Sequence, residues 1–434
     1  MSNIKYFSGI ENMPTPLLRM DSLINRLIDG KNTIYMVYRS MIHSLSQKVA
    51  GLCEEKGFYV HFCNMSDIDE KPRQYFLKLT NITNDSLLET VPVNKILSSP
   101  DCPNIIFLHG VEDIDSDNRK LWISFLNEWL RHSKNYGCHG GDKRALLLLM
   151  EDTSFLAQIC GEPGWDVNWY WNWISNTETS MVLLCLLLGN HSTERWKPWL
   201  EAILSELAGP DLNLLEWLCQ FSTQMTDRDT IEKLLCKYAN EKGFLPEAAK
   251  VDLKKYRGMA ETDDSAPPEN LYRLWEMGIV NYTQEEGLFF NSAFLAATGD
   301  ITTIQHRLWR GMTRYLLPII DQARISLCTA LNRRYMGEWK AHCKREKEYD
   351  EKRYGNSCVG LEDDRESSFT ELRGLLNFLG QKGYAYVSSR YSRLYDEVKR
   401  LKDSRNVLAH GGLLDREGFM ETLEAGLYVQ RCNL

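Results

Sequence analysis

Between residues 33 and 150 the chain alternates short, uninterrupted apolar runs with longer stretches of helical spacing. The runs TIYMVY (33–38), FYVHF (58–62), NIIFL (104–108) and RALLLLM (144–150) are brief and rich in β-branched, aromatic or aliphatic side chains, so they predict strands. Residues 44–55 and 116–133 repeat their apolar positions every three or four residues, which predicts helices between those strands. Strands apolar at every position need both faces covered, and strands separated by helices pair in parallel. The first third of the chain therefore predicts an α/β layer built on a parallel sheet.

Beyond that layer the pattern changes. Trp165, Trp169, Trp171 and Trp173 crowd into nine residues; rings of that size bury large areas, so the cluster predicts core or domain-interface packing. Residues 177–255 read as helices. The stretch RGMAETDDSAPPEN (257–270) is polar and acidic with a Pro pair, a linker or long loop. After it, 271–277 predicts a short helix, and 279–282 and 288–291 predict two strands joined through Gln284-Glu285-Glu286-Gly287. A helix followed by a two-stranded hairpin is how a winged-helix domain ends. The acidic wing makes an interdomain module a better reading than a DNA reader.

From 305 onward every periodic stretch is helical: 304–335, 369–379, 384–408 and 416–428. Residues 343–368 between them are dense in both charges and read as an insertion or a solvated helix extension. Four helices with short connections make a bundle. The fold class that follows is α/β plus all-α, with a sheet domain over 1–190, a helical and winged-helix-like region over 191–300, and a helical bundle over 301–434.

Bulk properties narrow the field. At 434 residues the chain exceeds what one hydrophobic core supports, which agrees with several domains. A net charge of -8 argues against a coat for nonspecific nucleic-acid binding. That charge is uneven, roughly +5 over 305–434 and roughly -13 over the rest, so a polyanion partner is expected at the C-terminal part. The twelve cysteines are scattered without a CxxC, the pattern of buried thiols in a reducing compartment. Residues 1–12 lack the basic and apolar stretches of a secretion signal, and the longest apolar run, 181–188, is too short to cross a bilayer. A cytoplasmic protein without membrane contact is the expectation.

Two places suggest chemistry. The first is the turn after the first strand, where a phosphate-cradling loop would use glycines to let backbone amides approach the anion and a Lys to reach the terminal phosphates. Here the turn reads Tyr38-Arg39-Ser40-Met41-Ile42-His43-Ser44, without Gly or Lys, leaving Arg39, Ser40 and Ser44 as the groups able to meet a nucleotide. The third strand continues as Ile105-Ile106-Phe107-Leu108-His109-Gly110-Val111-Glu112-Asp113. That run resembles the second P-loop signature of the STAND class of signalling ATPases, loosely over residues 15–190. Glu112 and Asp113 fit its acidic pair, while His109 replaces the magnesium-directing Asp. The resemblance implies a degenerate domain of NTPase descent that does not hydrolyse, with ATP at most a ligand bound without turnover at Arg39, Ser40, Ser44, Glu112 and Asp113. In the plainer alternative, His109 and Glu112 merely end a strand.

The second place is Arg405-Asn406-Val407-Leu408-Ala409-His410-Gly411. A guanidinium near an imidazole joins a cation able to hold a phosphate to a group that moves protons near neutral pH. The run resembles the signature of HEPN domains, small helical bundles with an Arg, a polar neighbour and a His four to six positions on, and the resemblance covers roughly 305–434. It implies a metal-independent endoribonuclease in which two bundles pair and each supplies half a site. Arg405 would orient the scissile phosphate, His410 would act as general acid or base, and Asn406 would position the motif.

A sensor or scaffold followed by a nuclease resembles the proteins of antiviral defence and abortive infection. RNA is then the substrate, a homodimer or larger oligomer the working form, and no cofactor or metal is required. The alternative is a noncatalytic adaptor that dimerises through the bundle and recruits an ATPase or nuclease subunit; Arg405 would then cap carbonyls or pair with Asp403 or Glu397. His139 beside Cys138 lacks a second ligand pair for a metal, and His43 and His61 read as ordinary side chains of the sheet domain.

Overall fold

The computed structural model describes residues 12–82, 91–134, 143–160, 163–188, 191–248, 250–256, 264–345, 372–386 and 391–432, without the side chains of 39, 40 and 191–193. Cys138 and His139, and most of the charged insertion, lie outside the described residues. The chain divides into two compact units, Met1–Glu178 with Asp252–Phe290, and Thr179–Val251 with Asn291–Leu434. No helix of the described residues is long and apolar enough to cross a membrane.

The first unit is built on a parallel five-stranded sheet of β1 (Thr33–Met36), β2 (Val60–Asn64), β3 (Ile105–His109), β4 (Ala145–Met150) and β5 (Asp166–Trp169), in the order β2-β3-β4-β1-β5. The apolar runs explain the order. All six positions of β4 and all four of β1 are buried; burying one Leu or Ile contributes roughly 1.5–3 kcal/mol, so these strands belong in the middle. The mixed patterns of β2 and β5 suit the edges, where Phe62 is 43% exposed. β5 arises inside the tryptophan cluster, where no strand was expected: its alternation of polar and aromatic residues is an edge signal, masked by the rings. Trp169, Trp171 and Trp173 are buried, as the packing reading required.

Around the sheet run α1 (Pro14–Ile28), α2 (Arg39–Glu55), α3 (Pro72–Leu79), α4 (Val93–Leu97), α5 (Ser116–Ser133) and α6 (Leu156–Ile159). α1 packs with α2, whereas α3 and α4 pack with α5. Right-handed crossovers require this division, because β1 connects to β2 in one direction across the sheet and the later strands return in the other.

The helical elements beyond are α7 (Asn176–Leu188), which spans the boundary of the units, then α8 (Lys197–Ala208), α9 (Leu212–Gln220), α10 (Arg228–Glu241) and α11 (Leu245–Ala248). Next come α12 (Tyr272–Glu276) and an antiparallel hairpin of β6 (Val280–Thr283) and β7 (Gly287–Phe290), followed by α13 (Ser292–Thr298). The helix and hairpin of the winged-helix-like stretch thus fall in the sheet unit, while α13 falls in the helical one. The segment expected over 191–300 is shared between the two units.

α14 (Ile301–Tyr335), α15 (Leu372–Gln381), α16 (Ser392–Ala409) and α17 (Arg416–Gln430) complete the helical unit. The helix expected over 384–408 begins only at Ser392; residues 384–386 form a turn. α14 packs along α8 and α17 at close range. A Cβ on Gly311 would lie 1.9 Å from the Ala202 carbonyl oxygen, and one on Gly426 would lie 2.6 Å from Ile319 Cγ2. α8 is buried from Ala202 to Ala208, including Glu206, whose carboxylate receives Arg310 Nε at 2.5 Å and Arg314 Nη1 at 2.6 Å. A buried carboxylate persists only when it is paired in this way.

Candidate functional site

In a parallel sheet, ligands bind beyond the carboxyl ends of the strands where the connections diverge. Here that point lies between β1, whose chain leaves into α2, and β4, whose chain runs on to β5. Of the residues proposed for a nucleotide, Glu112 is engaged with the backbone of the neighbouring loop and Ser44 with its own helix. Glu112, in the loop after β3, accepts the backbone N–H of Glu151 at 2.7 Å and of Asp152 at 3.4 Å, and so fixes the loop after β4. Burial pushes its carboxyl above the ordinary value, against the lowering effect of those amides. Glu276 of α12 braces the same loop, accepting the backbone N–H and the hydroxyl of Thr153.

Aromatic rings fill the neighbouring end of β1. Tyr38 stacks on Trp275 with centroids 5.2 Å apart, and Tyr170 meets Tyr38 at 5.6 Å. Trp275 is fully buried, crosses Trp169 at 5.0 Å and donates its indole N–H to the Tyr170 carbonyl. Arg39 and Ser40 open α2, and Ser44, one turn on, donates its hydroxyl to the Met41 carbonyl.

Asp113 is exposed. Burial holds His109 below its ordinary value, and the charges of Asp67 and Asp113 oppose that. Gly110 is needed where it stands, because its φ is +80° and a Cβ would lie 2.3 Å from Asn64 Oδ1. Among the described residues no group of three His, Cys, Asp or Glu could hold a metal ion.

The end of α16 has the opposite character. His410 is the C-cap, Gly411 follows with φ +74°, and the helix closes through Gly412 N–H to the Val407 carbonyl at 2.8 Å and Gly411 N–H to the Leu408 carbonyl at 3.1 Å. This double closure satisfies the last carbonyls with glycine amides. Trp309 of α14 adds its indole N–H to the Leu408 carbonyl at 2.6 Å, and His306 lies against the same indole at 5.5 Å. Backbone and indole donors do the capping, so neither Arg405 nor His410 is needed for it.

Arg405, Asn406 and His410 are all exposed. Among the described residues the guanidinium of Arg405 makes one hydrogen bond, to Asn406 Oδ1 at 3.5 Å. The carboxylates that might have neutralised it are engaged elsewhere, Glu397 by Arg393 and Arg400, and Asp403 by Lys402. Among the described residues His410 has no hydrogen-bonded side-chain partner. Five residues apart, Arg405 and His410 differ by about 7.5 Å along the helix and about 140° around it. One copy therefore presents a cation and an imidazole on different sides of a helix end. Sequence reading could not supply Trp309 or His306, which come from a helix about a hundred residues earlier and carry no local signal of their role.

No family model matches the chain, and no curated protein or solved structure matches it.

Proposed function

We propose that the helical unit is a metal-independent endoribonuclease whose active form pairs two copies of the α16 end, in the manner of the HEPN bundles it resembles. The observation that carries this reading is the unspent pair Arg405 and His410, exposed at a helix end whose carbonyls already have donors. An exposed cation without a carboxylate partner is a phosphate ligand in waiting, and an exposed imidazole is free to exchange protons.

The chemistry follows from those groups. The 2′-hydroxyl of the substrate attacks the adjacent phosphorus and the bond to the 5′-oxygen breaks, leaving a 2′,3′-cyclic phosphate and a 5′-hydroxyl. One His410 takes the proton from the 2′-hydroxyl, and the His410 of the second copy gives one to the departing 5′-oxygen. Arg405 holds the phosphate oxygens as negative charge builds, and Asn406 orients Arg405. In this proposal the sheet unit is a scaffold or sensor without ATP hydrolysis, since its acidic residue Glu112 braces a loop. RNA degradation by the purified chain in the presence of EDTA tests the reading, with Arg405→Ala and His410→Ala as controls. Loss of cutting in both variants is expected; equal cutting by either overturns it and leaves the adaptor reading.

A further inference from the structure

A second arginine pair stands in the same unit, and among the described residues it too has no carboxylate within ion-pair distance. The short helical turn His191–Trp196 delivers Arg195 and Trp196 to the start of α8, and Arg416 opens α17 six residues after His410. Arg195 Cζ lies 4.4 Å and Arg416 Cζ 4.1 Å from the centroid of the Trp196 ring. Arg416 is fixed from behind: its backbone N–H reaches the Thr226 carbonyl at 2.9 Å and its Nη1 the Thr223 carbonyl at 3.1 Å. Its Nε is buried without a hydrogen-bond partner.

Two guanidiniums on one indole repel each other, and the rest of the unit shows how such cost is usually met. Arg310 and Arg314 share Glu206, and Arg393 and Arg400 share Glu397. Around Trp196 no carboxylate of the described residues comes within ion-pair distance of either cation. Burial holds Arg416 below its ordinary value; the charge of Glu417 opposes that lowering and the charge of Arg195 adds to it. An anion with several acceptor oxygens would relieve the repulsion.

We propose that Arg195 and Arg416, held on Trp196, bind the sugar–phosphate backbone of single-stranded RNA and so anchor the strand on which Arg405 and His410 act. The choice of RNA as the polyanion rests on the nuclease reading above. The six residues from His410 to Arg416 reach at most about 22 Å, so one short strand spans both sites. A guanidinium fork and an aromatic ring are the parts from which sequence-tolerant single-strand sites are made.

The test uses the full chain carrying His410→Ala, so that RNA stays intact, with a fluorescein-labelled single strand of about a dozen nucleotides. Fluorescence anisotropy is measured at several salt concentrations. Arg195→Ala is expected to weaken binding roughly tenfold and to reduce the slope of log affinity against log salt by about one. Arg195→Glu should weaken it further, and Arg416→Lys, which keeps the charge but loses the fork, should weaken it less. The Arg195 side chain is exposed, so its variants are expected to fold, and a thermal melt checks every variant, Arg416→Lys included. Absence of binding by the parent variant, or unchanged affinity and slope in Arg195→Glu, overturns the site. If the wild type leaves RNA intact while Arg195→Glu still abolishes binding, the anion site stands and the nuclease reading falls. If the wild type cuts RNA and Arg195→Glu binds and cuts as well, the reverse holds.

Discussion

At the carboxyl edge of the sheet, Glu112 is spent on the fold; at the end of α16, the side chains of Arg405 and His410 are exposed and cap nothing. Glu112 holds two backbone amides and Tyr38 stacks on Trp275, so both side chains are held within the fold. Arg405 and His410 end a helix whose carbonyls are satisfied by glycine amides and an indole, and both side chains face outward. A residue type and a spacing nominate a site, but the partners each group has already taken decide whether it can act on anything else. On the proposed function, the contrast gives stability to the first place and reactivity to the second.

The largest expected effect sharpens that assignment. His410→Ala should lower RNA cleavage by about a thousandfold, the scale of a lost proton-transfer group, with little change in melting temperature because the side chain is exposed. Rates and a thermal melt on the same preparation measure both; a melt that collapses with the activity would make His410 structural. Trp275→Ala should do the reverse, costing about 3–5 kcal/mol of the sheet unit's stability by emptying a filled aromatic cluster. Chemical denaturation reads it, and a loss below about 1 kcal/mol would mean the rings are not the core of that edge.

Smaller effects follow at Glu112. Glu112→Ala leaves the amides of Glu151 and Asp152 without their acceptor and should cost about 1–3 kcal/mol, while Glu112→Gln, which keeps an acceptor oxygen, should cost less. The pH dependence has a definite sign. Because burial raises this carboxyl in the folded protein, its contribution is fullest below the ordinary carboxylate range and fades as pH climbs through the raised value. The wild type should therefore lose stability relative to Glu112→Gln as pH rises from acid toward neutral. Parallel stability curves would show that Glu112 is not buried as described.

Much of the sheet was legible because its inner strands are nearly continuous apolar runs, and β4 could belong nowhere but the centre. β5 was hidden by the tryptophans around it, and the start of α16 at Ser392 departs from a periodicity that ran on to residue 384. The division of 191–300 between two units was not readable either, because it depends on long-range packing of α12 and α13 and leaves no mark in local spacing. At the candidate site, Arg405, Asn406 and His410 were nominated by their own sequence. Trp309, which frees them from capping duty, was not, since its partner carbonyl is ninety-nine residues away.

The most direct measurement of the central claim is the chemistry of the cut ends. A uniform single-stranded RNA is incubated in EDTA with the wild type and with His410→Ala, and the fragments are resolved by mass. Fragments ending in 2′,3′-cyclic phosphate, formed by the wild type and absent with His410→Ala, are the predicted result. Fragments that require a divalent metal, carry other termini, or form equally with His410→Ala would contradict it.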